Sequence, residues 1–355
     1  MTNNADISQK LADAVREAAA NHALLAIQGN GTKAFYTGAL SGTPLDVTGH
    51  RGVVSYEPTE LVITARAGTP LAEIEAALAE RGQMLGFEPP YFGEAATLGG
   101  TIACGFSGPR RPYAGAARDF VLGAKIINGK GEILRFGGQV MKNVAGFDVS
   151  RLMVGAFGTL GVLLEISLKV LPKPAHELTL AFEMGADTAI RTMNAWAGKP
   201  LPLSATCHEG DTLYIRISGT ESGVRAAHEK LGGEAIANGD AFWRDLREHR
   251  LSFFQNGSPL WRVSVPPATP PLNLPGKWLI DWGGAQRWLK SDAPAADIRQ
   301  EAEEAGGHAT LFRSFKQQQA PFAALSPELV SLHRKLTLAF DPHGVLNANS
   351  SRGKG

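Results

Sequence analysis

The sequence predicts an α+β fold in two parts, a larger glycine-rich part and a smaller one, and three observations carry that prediction. From Gly93 to Gly161 aliphatic runs alternate with 15 glycines in 69 residues, where average usage gives about 5. Leu160 to Leu171 is a long run of leucine and β-branched residues that stops at Pro172 and Pro174. Beyond those prolines glycine thins, and short strand-like runs alternate with helical ones. The expected parts are 1–174, 175–325 and a closing segment 326–355.

Each element has a local reason. Ile7, Leu11, Ala14, Val15 and Ala18 fall at helical spacing and predict an amphipathic first helix. Ala23 to Gln28 reads as a strand that runs into the turn Gly29-Asn30-Gly31-Thr32-Lys33, and Leu61 to Ala65 as another strand. Pro70 opens a helix through Leu71, Ile74, Ala77 and Leu78, which Gly82 closes. Val121–Ile127 and Glu132–Phe136 read as two strands joined by a tight Asn128-Gly129 hairpin turn. In the second part, Leu178–Phe182 and Leu213–Ile217 read as strands, and Asp187–Trp196 and Ser222–Leu231 as helices. Pro266 through Pro275 is a proline-rich loop, and Ser326–Phe340 a last helix capped by Ser326. No repeat of fixed period is visible.

Bulk properties exclude several classes. The net charge is +1, with no Lys/Arg-rich block, so a polyanion such as nucleic acid is not an expected partner. The N-terminus lacks the basic and apolar regions of a signal peptide, and no apolar run reaches a membrane span. The expected location is cytoplasmic. Cys104 and Cys207 lie far apart and read as free thiols, too few for an iron–sulfur cluster held by this chain alone.

Two glycine turns suit a diphosphate. Backbone amides can converge on a bulky anion only where no Cβ intervenes and where positive φ is allowed. Gly29-Asn30-Gly31-Thr32 after a strand is one such segment; Thr97-Leu98-Gly99-Gly100, opening a short helix that reaches Ala103, is the other. Gly29, Gly31 and Ala34 also fit a dinucleotide fingerprint. Phe35-Tyr36-Thr37-Gly38 is nevertheless a poor helix start, and Asp46 comes early for a ribose ligand. Purely structural glycine turns are the other open reading. Gly155, Gly158 and Gly161 would allow close approach of a flat ring or of another backbone.

The strings TLGGTIACGFSGPRRPYAGAARDFVLG and KNVAGFDVSRLMVGAFGTLGVLLEISLKVLPKP resemble the FAD-binding domain of the vanillyl-alcohol oxidase / p-cresol methylhydroxylase (PCMH) superfamily, nearest to its branch of bacterial glycolate oxidase E-type subunits. The resemblance is strong over about residues 23–175 and moderate over Phe340–Ser350. It implies a two-part PCMH-type FAD-binding domain, a smaller α+β cap domain, and a C-terminal segment returning to the FAD domain. It implies, by position, FAD contacts from Gly29, Asn30, Gly31, Thr32, Thr97, Gly99, Gly100, Ala103, Gly105, Gly108 and Asp119. Asn143, Gly146, Gly158, Gly161 and Val162 complete that set.

The first loop carries no His, the residue through which many relatives bind flavin covalently; the nearest is His50, so the FAD is expected to be non-covalent. Relatives that oxidise 2-hydroxy acids carry a metal-binding H-x-G-D-G-N-x-H motif. Here His208-Glu209-Gly210-Asp211 imitates only its first half, so no metal is expected and the segment reads as a hairpin turn. Arg110, Arg111 and Asn347 are the candidates for catalytic contacts: the arginines as a carboxylate or phosphate clamp, or as surface or subunit-facing charge, and Asn347 as a flavin donor or a chain closure.

The resemblance implies an FAD-dependent oxidoreductase subunit of a complex that oxidises glycolate to glyoxylate. Catalysis would centre on a paralogous larger flavin subunit, with an iron–sulfur subunit as a further partner, and the complex could hold the chain at the periphery of the inner membrane. An autonomous 2-hydroxy acid dehydrogenase and a structural subunit with inert FAD are the alternatives.

Overall fold

A computed structural model of the chain describes residues 4–38, 40–138, 147–255, 257–314 and 322–347. The chain divides into two compact units, one made of Met1–Ser107, Gly115–Lys173 and Ala324–Gly355, the other of Gly108–Ala114 and Pro174–Ala323. The short stretch 108–114 therefore groups with the second unit, which no local signal in the sequence indicates.

The first unit is built on a five-stranded antiparallel sheet in the order Val53–Glu57, Val62–Arg66, Val162–Lys169, Val121–Ile127, Ile133–Gly137. The helix Ser8–Ala20 buries Leu11, Val15 and Ala18 of the stripe its spacing predicts, together with Ala12, while Ile7 and Ala14 are partly buried against the same core. That stripe packs with Leu25, Leu45, Ile127, Val162, Leu164, Val345 and Leu346 in one core. Leu25–Gln28 pairs in parallel with Thr43–Asp46. The helix expected from Pro70 spans Leu71–Ala79, with Gly82 beyond it at φ 62°.

The turn after Val121–Ile127 differs from the tight Asn-Gly hairpin that the sequence suggests. Asn128 Oδ1 accepts from Lys130 N and Glu132 N, both at 3.0 Å, and the left-handed residue is Gly131. The glycine at 129 has another cause: a Cβ there would lie 2.1 Å from Asp341 Oδ1, and its amide donates to Phe340 O.

The second unit holds an eight-stranded sheet with an internal duplication. Its first half runs His176–Glu183, helix Ala186–Ala197, Leu203–Glu209, Thr212–Gly219, helix Glu221–Leu231, Glu234–Ala235. Its second half runs Leu260–Ser264, Lys277–Asp281, Gln286–Lys290, helix Ala295–Glu304, His308–Arg313. Within each half the strands lie in the spatial order fourth-first-third-second, and the two second strands join edge to edge, with Cys207 opposite Asp281. Where the first half has its first helix, the second half has the proline-rich loop. The carbonyls of such a loop need donors. Buried Arg287 provides them to Thr269 O, Pro270 O and Gly284 O, and burial lowers its pKa to about 10.

Candidate functional site

The two glycine bends meet in the first unit. Asn30 Nδ2 donates to Ala95 O at 2.9 Å, and a Cβ on Gly29 would sit 2.9 Å from Thr97 Oγ1. Together they line a cleft of about 320 Å³, a volume in the range of small-ligand sites. Gly29, Asn30, Gly31, Thr32, Thr97, Gly99, Gly100, Ala103, Gly158 and Gly161 all line it, and so does Asn347.

The bends offer different chemistry. In the first, the main-chain amides of Gly29, Asn30, Gly31 and Thr32 donate to no acceptor among the described residues. Gly31 holds φ 68°, and a Cβ there would meet nothing within 4 Å, so its glycine serves the backbone turn. These are the leftover donors that a diphosphate needs. In the second bend Leu98 N donates to Thr69 O, Gly99 N to Ala67 O and Gly100 N to Thr97 Oγ1. Thr97 thereby caps the helix Leu98–Cys104. A Cβ on Gly99 would lie 2.8 Å from Ala67 Cβ. With the amides of Leu98, Gly99 and Gly100 engaged internally, the second bend contributes mainly shape and close approach.

Asn347, with φ 42°, is buried and clasps two walls of the cleft. Its Oδ1 accepts from Ile27 N at 2.8 Å and its Nδ2 donates to Phe157 O at 2.7 Å. Both ends of the amide thus close the chain onto the first unit. Gly158 is small for the same reason, since a Cβ there would meet Asn347 Nδ2 at 2.8 Å. Lys33, which the sequence reading left without a role, is buried at 5% exposure and also lines the cleft. Its Nζ donates to Tyr91 O at 3.1 Å and to Thr32 Oγ1 at 3.3 Å. The only available signal was its place directly after the Gly-x-Gly-Thr turn.

Other sequence candidates fall elsewhere. Gly105 is the left-handed C-cap of Leu98–Cys104, Asp119 accepts from Ala116 N in a helix cap, and Val162 is core. Gly108 lies in the second unit, where its carbonyl accepts from Trp282 Nε1 at 3.0 Å. Asn143 and Gly146 lie outside the described residues. His50, fully buried, accepts from Ile7 N through Nδ1.

In the second unit Arg110 is buried and ion-paired with Glu177, and Arg111 lies over the Trp282 ring at 4.4 Å. Both arginines thus have partners within the second unit. His208 faces Met184 O at 2.9 Å through Nε2, and Gly210-Asp211 forms the hairpin between Leu203–Glu209 and Thr212–Gly219. Among the described residues no group of His, Cys, Asp or Glu is placed to hold a metal ion.

Comparison with known proteins gives this geometry its context. A family model described as an FAD binding domain matches residues 5–137. Over 347 residues the chain is 52% identical to the glycolate oxidase subunit GlcE of Escherichia coli (strain K12), covering 98% of each. It is 31% identical over 165 residues to the glycolate oxidase subunit GlcD of Bacillus subtilis (strain 168), covering 46% of this chain and 35% of that one. Among solved structures, p-cresol methylhydroxylase with substrate bound superposes with a TM-score of 0.70 at 15% identity, over 99% of this chain and 88% of the other. An alkyldihydroxyacetonephosphate synthase superposes at 0.64 and 15% identity, over 96% and 74%. At that identity the two structures establish the fold alone: α+β, of the PCMH type.

Proposed function

The chain belongs to the GlcE family of glycolate oxidase subunits, and from that premise we propose that it is the FAD-binding subunit of a glycolate oxidase complex. It is an FAD-dependent oxidoreductase subunit. The complex oxidises glycolate to glyoxylate, with that oxidation centred on a paralogous larger flavin subunit. The observation that carries the reading is the cleft itself: two separated glycine bends come together, and one of them keeps its amides unengaged among the described residues. Gly29, Asn30, Gly31 and Thr32 would hold the diphosphate, and Thr97, Gly99, Gly100, Ala103, Gly158 and Gly161 would let the cofactor approach the main chain. When bound, the flavin supplies the two-electron chemistry that oxidation of a 2-hydroxy acid requires.

The division of labour rests on residues of the second unit. Arg110, which could have gripped a substrate carboxylate, is neutralised by Glu177. His208, the one imidazole of the half-motif, is turned to a backbone carbonyl. Electrons leave through an iron–sulfur subunit in this reading, because Cys104 and Cys207 are too few to hold a cluster. Among the described residues no helix is long and apolar enough to cross a membrane, which accords with a cytoplasmic complex or one peripheral to the inner membrane.

The test is spectroscopic. The purified chain should be yellow, acid precipitation should release its flavin to the supernatant, and glycolate should bleach that flavin only after the larger paralogue is added. Bleaching by glycolate in the chain alone would reassign the oxidation to this subunit. Flavin retained in the acid pellet would overturn non-covalent binding.

A further inference from the structure

We propose that the last helix is a self-association surface, through which two copies of the chain pair antiparallel along the leucine stripe of Pro327–Phe340. The helix is 14 residues long and none of them is buried. A helix of that length is marginal unless an apolar face packs against something. Its C-terminal end is anchored, by the Phe340 ring against Phe136 at 6.2 Å and by Phe340 O accepting from Gly129 N. Toward the N-terminal end the apolar face is open: Leu325, Leu329 and Leu332 are 41%, 45% and 59% exposed. Of the nine large apolar side chains exposed among the described residues, four lie between Leu325 and Leu338, a concentration that marks an interaction surface rather than scatter. Leu325, just ahead of the N-cap Ser326, then Leu329, Leu332 and half-buried Leu336 follow the alternating four-and-three spacing of a two-helix seam.

The charges beside that stripe select a second copy as its occupant. Exposed Glu328 directly precedes Leu329, and exposed Lys335 directly precedes Leu336, so the two flank the same side of the seam one heptad apart. With a second copy laid antiparallel, Leu329 packs on Leu332 of the other chain, and Leu325 on Leu336. That register sets Glu328 of each copy against Lys335 of the other, two ion pairs related by a two-fold axis. A parallel pair sets Lys335 beside Phe340 instead. The surface is thus its own complement in shape and in charge, the condition for a closed dimer.

The experiment is sedimentation of the purified full-length chain, which should be a dimer at tens of micromolar. Leu332→Glu should raise the dimer dissociation constant roughly 100-fold. Glu328→Lys and Lys335→Glu, each of which sets like charges face to face, should raise it roughly 5- to 10-fold. The double variant Glu328→Lys/Lys335→Glu should return it to within roughly 2-fold of the unsubstituted value, because both copies carry the swap; a partner of fixed sequence could not follow it. These residues are exposed, so circular dichroism and flavin content should stay unaltered in every variant. An unsubstituted chain that sediments as a monomer, including one that pairs with the larger flavin subunit alone, would overturn the proposal. So would a dimer indifferent to Leu332→Glu, or a double variant no tighter than the single ones.

Discussion

The cleft of the first unit and the arginines of the second treat polar groups in opposite ways. In the first, the cleft is walled by glycines and by amides that find no acceptor among the described residues, and Lys33 is the one charged side chain among the described residues that line it. In the second, side chains dominate and are matched to one another. All six tryptophans lie there. Arg110 meets Glu177, Arg216 lies between Ser204 and the Trp243 ring, Arg111 and Arg262 lie over Trp282, and Arg287 caps carbonyls. Donors left over by folding mark a place for a ligand, whereas donors already matched mark architecture. A cluster of arginines is thus weaker evidence of a site than a bend of bare amides.

The largest expected effect comes from adding volume to the first unit. Gly99→Val puts carbon atoms against Ala67 Cβ and O, at 2.8 and 3.0 Å for the Cβ alone, and should abolish flavin binding. A normal flavin-to-chain ratio by absorbance would break the contrast between the units. The control is Gly210→Ala in the second unit, where φ is 60° and no atom lies within 4 Å. It should cost about 1 kcal/mol of stability and leave flavin content unaltered.

Next is the clasp. Asn347→Ala removes two buried hydrogen bonds and should lower unfolding free energy by about 2–4 kcal/mol, with faster flavin loss on dilution. Asn347→Gly keeps the positive φ freely available while losing the same bonds. A similar fall in both variants, read by denaturant titration, would assign the effect to the side-chain amide rather than to backbone strain.

Arg110→Met tests the matched side. It leaves Glu177 with Ser218 as a hydrogen-bond donor and should cost about 1–3 kcal/mol, less than a fully buried pair because Glu177 is partly exposed. FAD affinity should not change; a loss of affinity would show that the pair serves the cofactor after all.

The smallest effect is in pH. His249 is buried, its ring stacked 3.9 Å from Phe254. Burial first, then the charges of Arg313 and Arg262, hold its pKa well below the ordinary 6.5. The unfolded chain therefore takes up a proton that the folded chain refuses. Stability from this residue is complete well above pH ~6.5 and declines as pH falls toward the folded value, by about 1 kcal/mol over the first pH unit below ~6.5. His249→Phe should flatten the thermal-melting profile across that window, and an unchanged slope would remove His249 from the account.

Much of this was legible in the letters. The helices Ser8–Ala20 and Leu71–Ala79 show one apolar stripe each, and Val162–Lys169 announces itself by composition. Gly29 and Gly31 were legible as a turn. What the letters could not show is which glycine faces open space and which faces its own protein. Gly99 lies against Ala67, Gly105 closes a helix and Gly129 lies against Asp341, and only three-dimensional contact separates them from Gly31. The strand Thr43–Asp46 was hidden by Pro44, which is tolerated because this strand pairs on one side only, with Leu25–Gln28. The duplication of the second unit escaped notice because prolines replace one helix and Arg287 does its bonding.

The clasp has a consequence for biosynthesis. Ile27 leaves the ribosome first, and Asn347, which must bond to it, follows 320 residues later. Throughout that interval the nascent chain can form the turn at 29–32 but cannot lock the strand beneath it to the Phe157 wall. Closure of the cleft is then an event of the late or released polypeptide, and a premature stop shortly before Asn347 would cost the cell the closed cleft along with the tail.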